Sequence, residues 1–245
     1  MVPAVANRRA ADELRAFRRD AGVSMTELCR AIYAEHGDSV SVQNETIAVA
    51  NLARIVDATL AIANRKGFAA MSLRDLARRT GLSLGGLYAY FQSKDELVAV
   101  IQRQGQRQIE QVLRRQVDQY GTARARLDEA IRAHVLLSEI LRPWFVFLYM
   151  EARHLGQAER RQAVAMEEAT EEIFAAIIRE GQADGSFRDT DALAAAAMLK
   201  AVLQDWYLKH GKHGRRGQTA AGYARAVQEL ATRYLAPTPM EEITV

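Results

Sequence analysis

A single cysteine among 245 residues, Cys29, excludes an intrachain disulfide and a thiolate metal cage. Only four prolines interrupt the chain. Valine and isoleucine are sparse beside alanine, leucine, arginine and glutamine, so local preference runs to helix. No apolar run reaches the length expected of a membrane span, and "MVPAVANRRAADELRAF" lacks the apolar core of a signal peptide, which points to a reducing cytoplasm and away from a membrane partner. HExxH, GxSxG, a Walker loop and a dinucleotide fingerprint are all missing, so neither an enzyme nor a cofactor is expected. Five histidines occur, at 36, 134, 154, 210 and 213. Glu151 and His154 have a metal-compatible i, i+3 spacing, but no second such pair exists and no metal site is expected.

The charge is unevenly spread. Residues 1–116 carry 17 Lys and Arg against 12 Asp and Glu, whereas the remainder carries 16 against 18. A basic first half suits a polyanion partner, and an acidic second half suits another task.

Helical periodicity runs through almost the whole chain, with no strand pattern or repeat. Asn44 opens a helix with Leu52, Ile55, Val56, Leu60 and Ala63 on one side, closed by Arg65, Lys66 and Gly67. Ser72 and Asp75 stand in capping-box spacing, and Gly81 stops the short helix they open. Leu73, Leu76 and Ala77 are its inward side, and Arg74, Arg78 and Arg79 its outward side. Ser83 caps another short helix whose buried edge is Leu87 and Phe91. Ser93 with Glu96 then opens a long helix to about 119. Two short helices joined by a few residues are the outline of a helix-turn-helix. Further helices are expected at 122–141, across the apolar "PWFVFLYMEARHL", at 157–183 with Val164, Ile173, Phe174, Ile177 and Ile178 inward, at 190–210 and at 218–235. "KHGKHGRRGQ" reads as a basic loop, and the last ten residues as a loose tail.

The stretch "GLSLGGLYAYFQSKDEL" places Gly85 beside Gly86 inside a helix, where each glycine costs about 1 kcal/mol against alanine. Close approach of a phosphate or the lip of a DNA groove explains the missing side chains. Tyr88 and Tyr90 then offer hydroxyls to phosphates, and Lys94 a charge. Core packing is the competing reading for aromatics at this spacing, and Phe91 is assigned to it.

"MSLRDLARRTGLSLGGLYAYFQSKDELVAVI" resembles the N-terminal domain of the tetracycline-repressor family of bacterial transcription regulators, over about residues 50–101. The resemblance implies an all-α protein with a three-helix DNA-binding head at 44–101 and a ligand-binding and dimerisation domain at 102–236. The residues themselves add an N-terminal helical extension at 1–43, which the family's usual head does not need, and a tail at 237–245. The resemblance also assigns site residues. It places Ser72 and Arg74 on phosphate, sets Ser83, Leu84, Gly85 and Gly86 at the recognition-helix entrance, and makes Tyr88, Tyr90 and Lys94 backbone anchors. Leu84, Gly85, Gly86 and Ala89 offer no long polar side chain, so readout is expected from thymine methyls, backbone groups and DNA shape.

The resemblance further implies a homodimer on a palindromic double-stranded DNA operator, released by a small, largely apolar effector. Acyl-thioesters, aromatic compounds and antibiotic-like molecules all fit that description. His134, Phe145, Tyr149 and Trp206 are the candidate ligand contacts, with core packing the competing reading for each. A helical ligand-binding or adaptor protein that uses the helix-turn-helix for protein contact remains the alternative. The extension reads as two helices, about 9–20 and 24–36, with Leu14, Phe17, Val23, Leu28, Ile32 and Tyr33 apolar and Arg8, Arg9, Arg15, Arg18 and Arg19 basic. Packing against the head and an accessory DNA contact are both open for it.

Overall fold

In the computed structural model, which describes residues 2–36, 40–151 and 157–237, twelve helices and no strand occur among the described residues. They are α1 (Val2–Asp20), α2 (Met25–His36), α3 (Glu45–Lys66), α4 (Leu73–Thr80), α5 (Leu84–Tyr88), α6 (Lys94–Val117), α7 (Ala123–Ile140), α8 (Arg142–Glu151), α9 (Gln157–Ala183), α10 (Ala192–Leu208), α11 (His210–Arg215) and α12 (Ala220–Leu235). His154 and the tail beyond Pro237 lie outside the described residues.

Side-chain caps set most helix starts. Asn44 accepts from the Ile47 N–H, Ser83 from Gly86 and Thr219 from Gly222, while Asp191 takes both Leu193 and Ala194. Ser72 and Asp75 form the full reciprocal box. Ser93 takes the Glu96 N–H at 3.1 Å, but the Glu96 carboxylate reaches back to the N–H of Gln92. Gly81 ends α4 in the left-handed region at φ 71°.

The chain forms two compact units. The head contains Arg18–Ile109 and Ile140–Met166. At its centre α3 buries ten residues, among them Leu52, Ile55, Val56 and Leu60, against α2, α4 and α8. Contrary to the sequence expectation, α3 is long and apolar enough to span a membrane, yet its apolar side is occupied by this core. Cys29 is enclosed here, and burial pushes its thiol up to about 12. Trp144 of α8 lies against the main chain of α6 at Gly105 and donates its indole N–H to the Ile101 carbonyl at 3.2 Å. A Cβ at position 105 would stand 1.9 Å from the indole nitrogen.

The body contains Met1–Phe17, Glu110–Glu139 and Glu167–Val245. α7 is buried almost all round, from Leu127 through Ile131 to Leu137. Phe174, Ile177 and Ile178 of α9 are also enclosed, and α10 packs on α12. Val164, expected inward, is 49% exposed, well before the enclosed stretch of α9 that includes Thr170 and Phe174. The expected loop at 209–218 contains a helix, α11. His213 anchors it: the ring stacks on Trp206 at 5.2 Å, lies 2.9 Å from the Asp205 carboxylate, and meets Tyr223 edge-on. These tertiary contacts override the poor helix propensity of Gly211 and Gly214.

His134 is buried in this body, edge-on to Phe174 at 6.3 Å. Burial first, and the charge of Lys200 second, hold its pKa down at about 3.

Two outcomes follow from this packing. Gly105→Ala gains about 1 kcal/mol of helix propensity but forces the rigid indole off α6, an overpacking cost of about 1–3 kcal/mol. Urea unfolding should report a net loss of stability, accompanied by a change in tryptophan emission. For His134, the unfolded chain takes up a proton below the ordinary value of 6.5, whereas the folded chain resists until about 3. Its contribution is therefore complete above pH 6.5 and declines on acidification towards pH 3, by about 1 kcal/mol per pH unit. The slope of stability against pH in that window should flatten in His134→Gln.

Candidate nucleic-acid interface

α4 and α5 are joined through Gly81, Leu82 and Ser83; α4 presents cations on its outer side, and α5 presents exposed main chain at its glycines. On α4, Ser72, Arg74, Arg78 and Arg79 are exposed, while Leu76 is buried completely. Asp75 would repel a phosphate at this helix start, but its charge is compensated. Lys66 donates to it at 2.8 Å and Arg78 also pairs with it. Those bonds, Lys66 foremost and then Ser72, hold the carboxyl well below the usual carboxylate range.

α5 has only five residues, and one of them, Leu87, is fully buried. Leu84 and Tyr88 are 40% and 47% exposed, large side chains that face outward on a helix this short. Gly85 is exposed, and a Cβ there would meet nothing closer than Ser83 Oγ at 4.0 Å. At Gly86 the same oxygen would be 3.3 Å away, so that glycine also makes room for the cap. Among the described residues nothing requires Gly85 to be small. Ser83 is exposed and Ala89 half-buried at the two ends of the helix.

Two residues expected on phosphate are engaged within the protein instead. Tyr90 is buried, and its hydroxyl accepts from Asn51 Nδ2 at 2.8 Å. Lys94 Nζ donates to the carbonyls of Phe68, Ala69 and Met71, each at 3.2 Å, and stands 4.6 Å over the Phe68 ring. Three convergent carbonyl dipoles and an aromatic face hold the ammonium there.

Arg54 and Asn51 were not singled out from the sequence. Arg54 donates to Asn51 Oδ1 at 3.2 Å and to the carbonyl of Thr80, the last residue of α4. Arg54, Asn51 and Tyr90 thus tie α3 to both ends of the turn-and-helix unit. Both residues lie on α3 at i, i+3, a spacing that signals neighbours on one helix face but not their distant partners.

The candidate ligand residues divide between the units. Phe145 and Tyr149 lie on α8 in the head, Phe145 buried and Tyr149 46% exposed. His134 and Trp206 lie in the body, both buried. Trp206 is crowded by His210, His213 and Tyr223, and its N–H donates to Glu139 at 3.0 Å.

Residues 55–101 match the model of bacterial regulatory proteins of the tetR family, and residues 120–231 match a tetracyclin repressor-like C-terminal domain. The HTH-type transcriptional repressor KstR of Mycolicibacterium smegmatis is 37% identical over 102 residues, which are 38% of this chain and 50% of that protein. The match therefore spans only half the length of that relative. The crystal structure of the TetR-family regulator PfmR from Thermus thermophilus aligns with a TM-score of 0.65 at 26% identity, over 74% of this chain and 97% of that one. FadR from Bacillus subtilis, solved in complex with stearoyl-CoA, shares the fold at a TM-score of 0.63 and 17% identity, over 74% and 98% of the two chains. With both domain models matched in order over more than half its length, the chain belongs to the tetracycline-repressor family of bacterial regulatory proteins.

Proposed function

We propose that this protein is a cytoplasmic transcriptional repressor that binds a palindromic DNA operator as a homodimer and releases it when a small, largely apolar effector binds. The observation that carries this reading is Gly85, exposed at the start of α5, where a Cβ would meet nothing closer than Ser83 Oγ at 4.0 Å. A groove wall that must come within contact of the main chain accounts for a glycine that the fold itself does not need. Ser72, Arg74, Ser83 and Tyr88 then meet phosphates, with Arg78 beside them. Leu84, Gly85, Gly86 and Ala89 face base edges, where Leu84 suits a thymine methyl. Tyr90 and Lys94 act one step back, by holding the main chain that presents these groups.

A second copy is supported by α10 and α12, which leave Leu193, Met198 and Leu230 about half exposed beside the exposed Ala194, Ala201 and Ala226. Such an apolar face suits a twofold helical seam, and a twofold dimer repeats the reading helix about 34–36 Å along DNA. The effector half of the reading draws on the family and on FadR, whose structure holds stearoyl-CoA. Phe145 and Tyr149 share α8 with Trp144 and Glu151, and Glu151 accepts the Phe68 N–H at 3.1 Å just ahead of α4. A ligand that moves α8 therefore acts on the reading surface, by no more than its differential affinity for the two states. His134 and Trp206 are proposed as contacts from the body.

Gel-shift titration across a range of salt concentrations tests the DNA reading. Affinity for the promoter of the protein's own gene should fall steeply as salt rises. Arg74→Ala should weaken binding on all duplexes alike and reduce the salt slope by about one. Gly85→Leu should abolish binding while circular dichroism stays that of the parent. Salt-insensitive binding, or none, would favour a protein-contact role for the helix pair. Sedimentation at micromolar concentration should give a dimer, and a monomer there would remove the twofold operator.

A further inference from the structure

Both family models begin after residue 54, so the first 43 residues have no counterpart in them. Within the head, the part of this extension from Arg18 onward is built against the machinery just described. Ala21, Val23, Leu28, Cys29 and Ile32 are buried, and α2 packs on α3. At the far end of α2, Glu35 accepts from Gln104 Nε2 of α6 at 2.8 Å and pairs with Arg107. Tyr33 reaches the carbonyls of Val42 and Gln43 at 3.2 Å with its hydroxyl, which steadies the strand of chain that leads into α3.

That stretch also touches the end of the recognition helix. Val40 is 2% exposed and, with Ile32 and His36, walls a small cavity of about 20 Å³ whose other side is Tyr90 and Phe91. The next residue, Ser41, donates its main-chain N–H to the carbonyl of Ala89 at 2.9 Å. Ala89 is the C-cap of α5. Carbonyls at a helix end have no partner within the helix, and a helix of five residues has too few internal bonds to persist alone. Its C-terminal end is held from two sides, by Asn51 on Tyr90 and by Ser41 on Ala89.

We propose that residues 21–36 and 40–43 brace the recognition helix, with the Ser41 N–H as the positioning group that sets the pitch of α5 and hence discrimination between operators. The extension does this without contributing a phosphate contact of its own through this segment. The proposal rests on the DNA-binding reading for its consequence, but its structural half stands apart. Phosphate contacts tolerate small tilts of a short helix, because they carry no base information. Contacts to base edges do not, because discrimination between bases depends on where those contacts fall.

The experiment compares Ser41→Pro, which removes the donor, with Ser41→Ala, which keeps it, in the full-length protein. Amide exchange of residues 85–88 should speed up about tenfold in Ser41→Pro, while slow amides in the middle of α3 keep their rates. Affinity for a duplex selected from a random library by the parent protein should fall about tenfold. Affinity for an unrelated duplex of equal length, and the salt slope, should not change. Ser41→Ala should match the parent throughout. If proline unfolds the head, Val40→Ala serves in its place, with α5 exchange several-fold faster and α3 unaffected. Unchanged α5 exchange in the folded variant overturns the brace. Equal loss on both duplexes with a shallower salt slope also overturns it, in favour of direct contact by residues 40–43. A parent protein that selects no duplex at all defeats the DNA-binding reading, and the exchange result still decides the brace.

Discussion

The turn at residues 67–71 is the point on which the head depends. Its main chain is gripped from two directions by opposite charges. The Glu151 carboxylate takes the N–H of Phe68, and the Lys94 ammonium takes the carbonyls of Phe68, Ala69 and Met71. The Phe68 ring fills the space between, edge-on to Phe147 at 6.4 Å. One short turn thereby joins the end of α3, the approach to α4, the start of α6 and the end of α8. A loop that buries main-chain groups must find partners for them, and here both partners are charged, which makes the bonds about twice as strong as neutral ones. Breaking the Glu151 bond costs most, since that carboxylate is buried and would lose the Phe68 N–H.

Much of the fold was legible because the relevant signals are local. Caps at Asn44, Ser72 and Ser83 act within three residues, and Gly81 answers a backbone requirement at its own position. Leu87 and Phe91 fall on one side of a turn of chain and are both buried. Tyr90 and Lys94 were harder, because each has an apolar stem and a polar tip, and spacing alone does not tell which way the tip points. The answer lay 39 residues back for Tyr90 and 23 to 26 back for Lys94. The same holds for α11, where glycine-rich composition signalled a loop and Trp206 and Tyr223 made a helix of it around His213. Val164 shows the converse limit: helical periodicity marks a face along the whole of α9, but only part of that face is covered.

The charge distribution gains meaning once placed on the elements. A net excess of cations over residues 1–116 is weaker information than the local arrangement at α4. Lys66 and Arg78 offset Asp75, so the capping box keeps its structural benefit without leaving a bare anion beside Arg74. Elsewhere in the head basic residues serve cohesion, as Arg54 does at Thr80 and Arg107 does at Glu35. Counting arginines would assign all of these to the polyanion.

The shortness of α5 separates what the protein recognises from what keeps it folded. Leu87 is the one fully buried side chain of the helix, while Leu84, Gly85 and Tyr88 face away from the core. Its ends are secured by main-chain groups and by residues outside it. Evolution, or a designer, can therefore rewrite the outward letters of this helix at little cost to the scaffold, and a duplicated gene starting from this framework has a short mutational path to a new binding site.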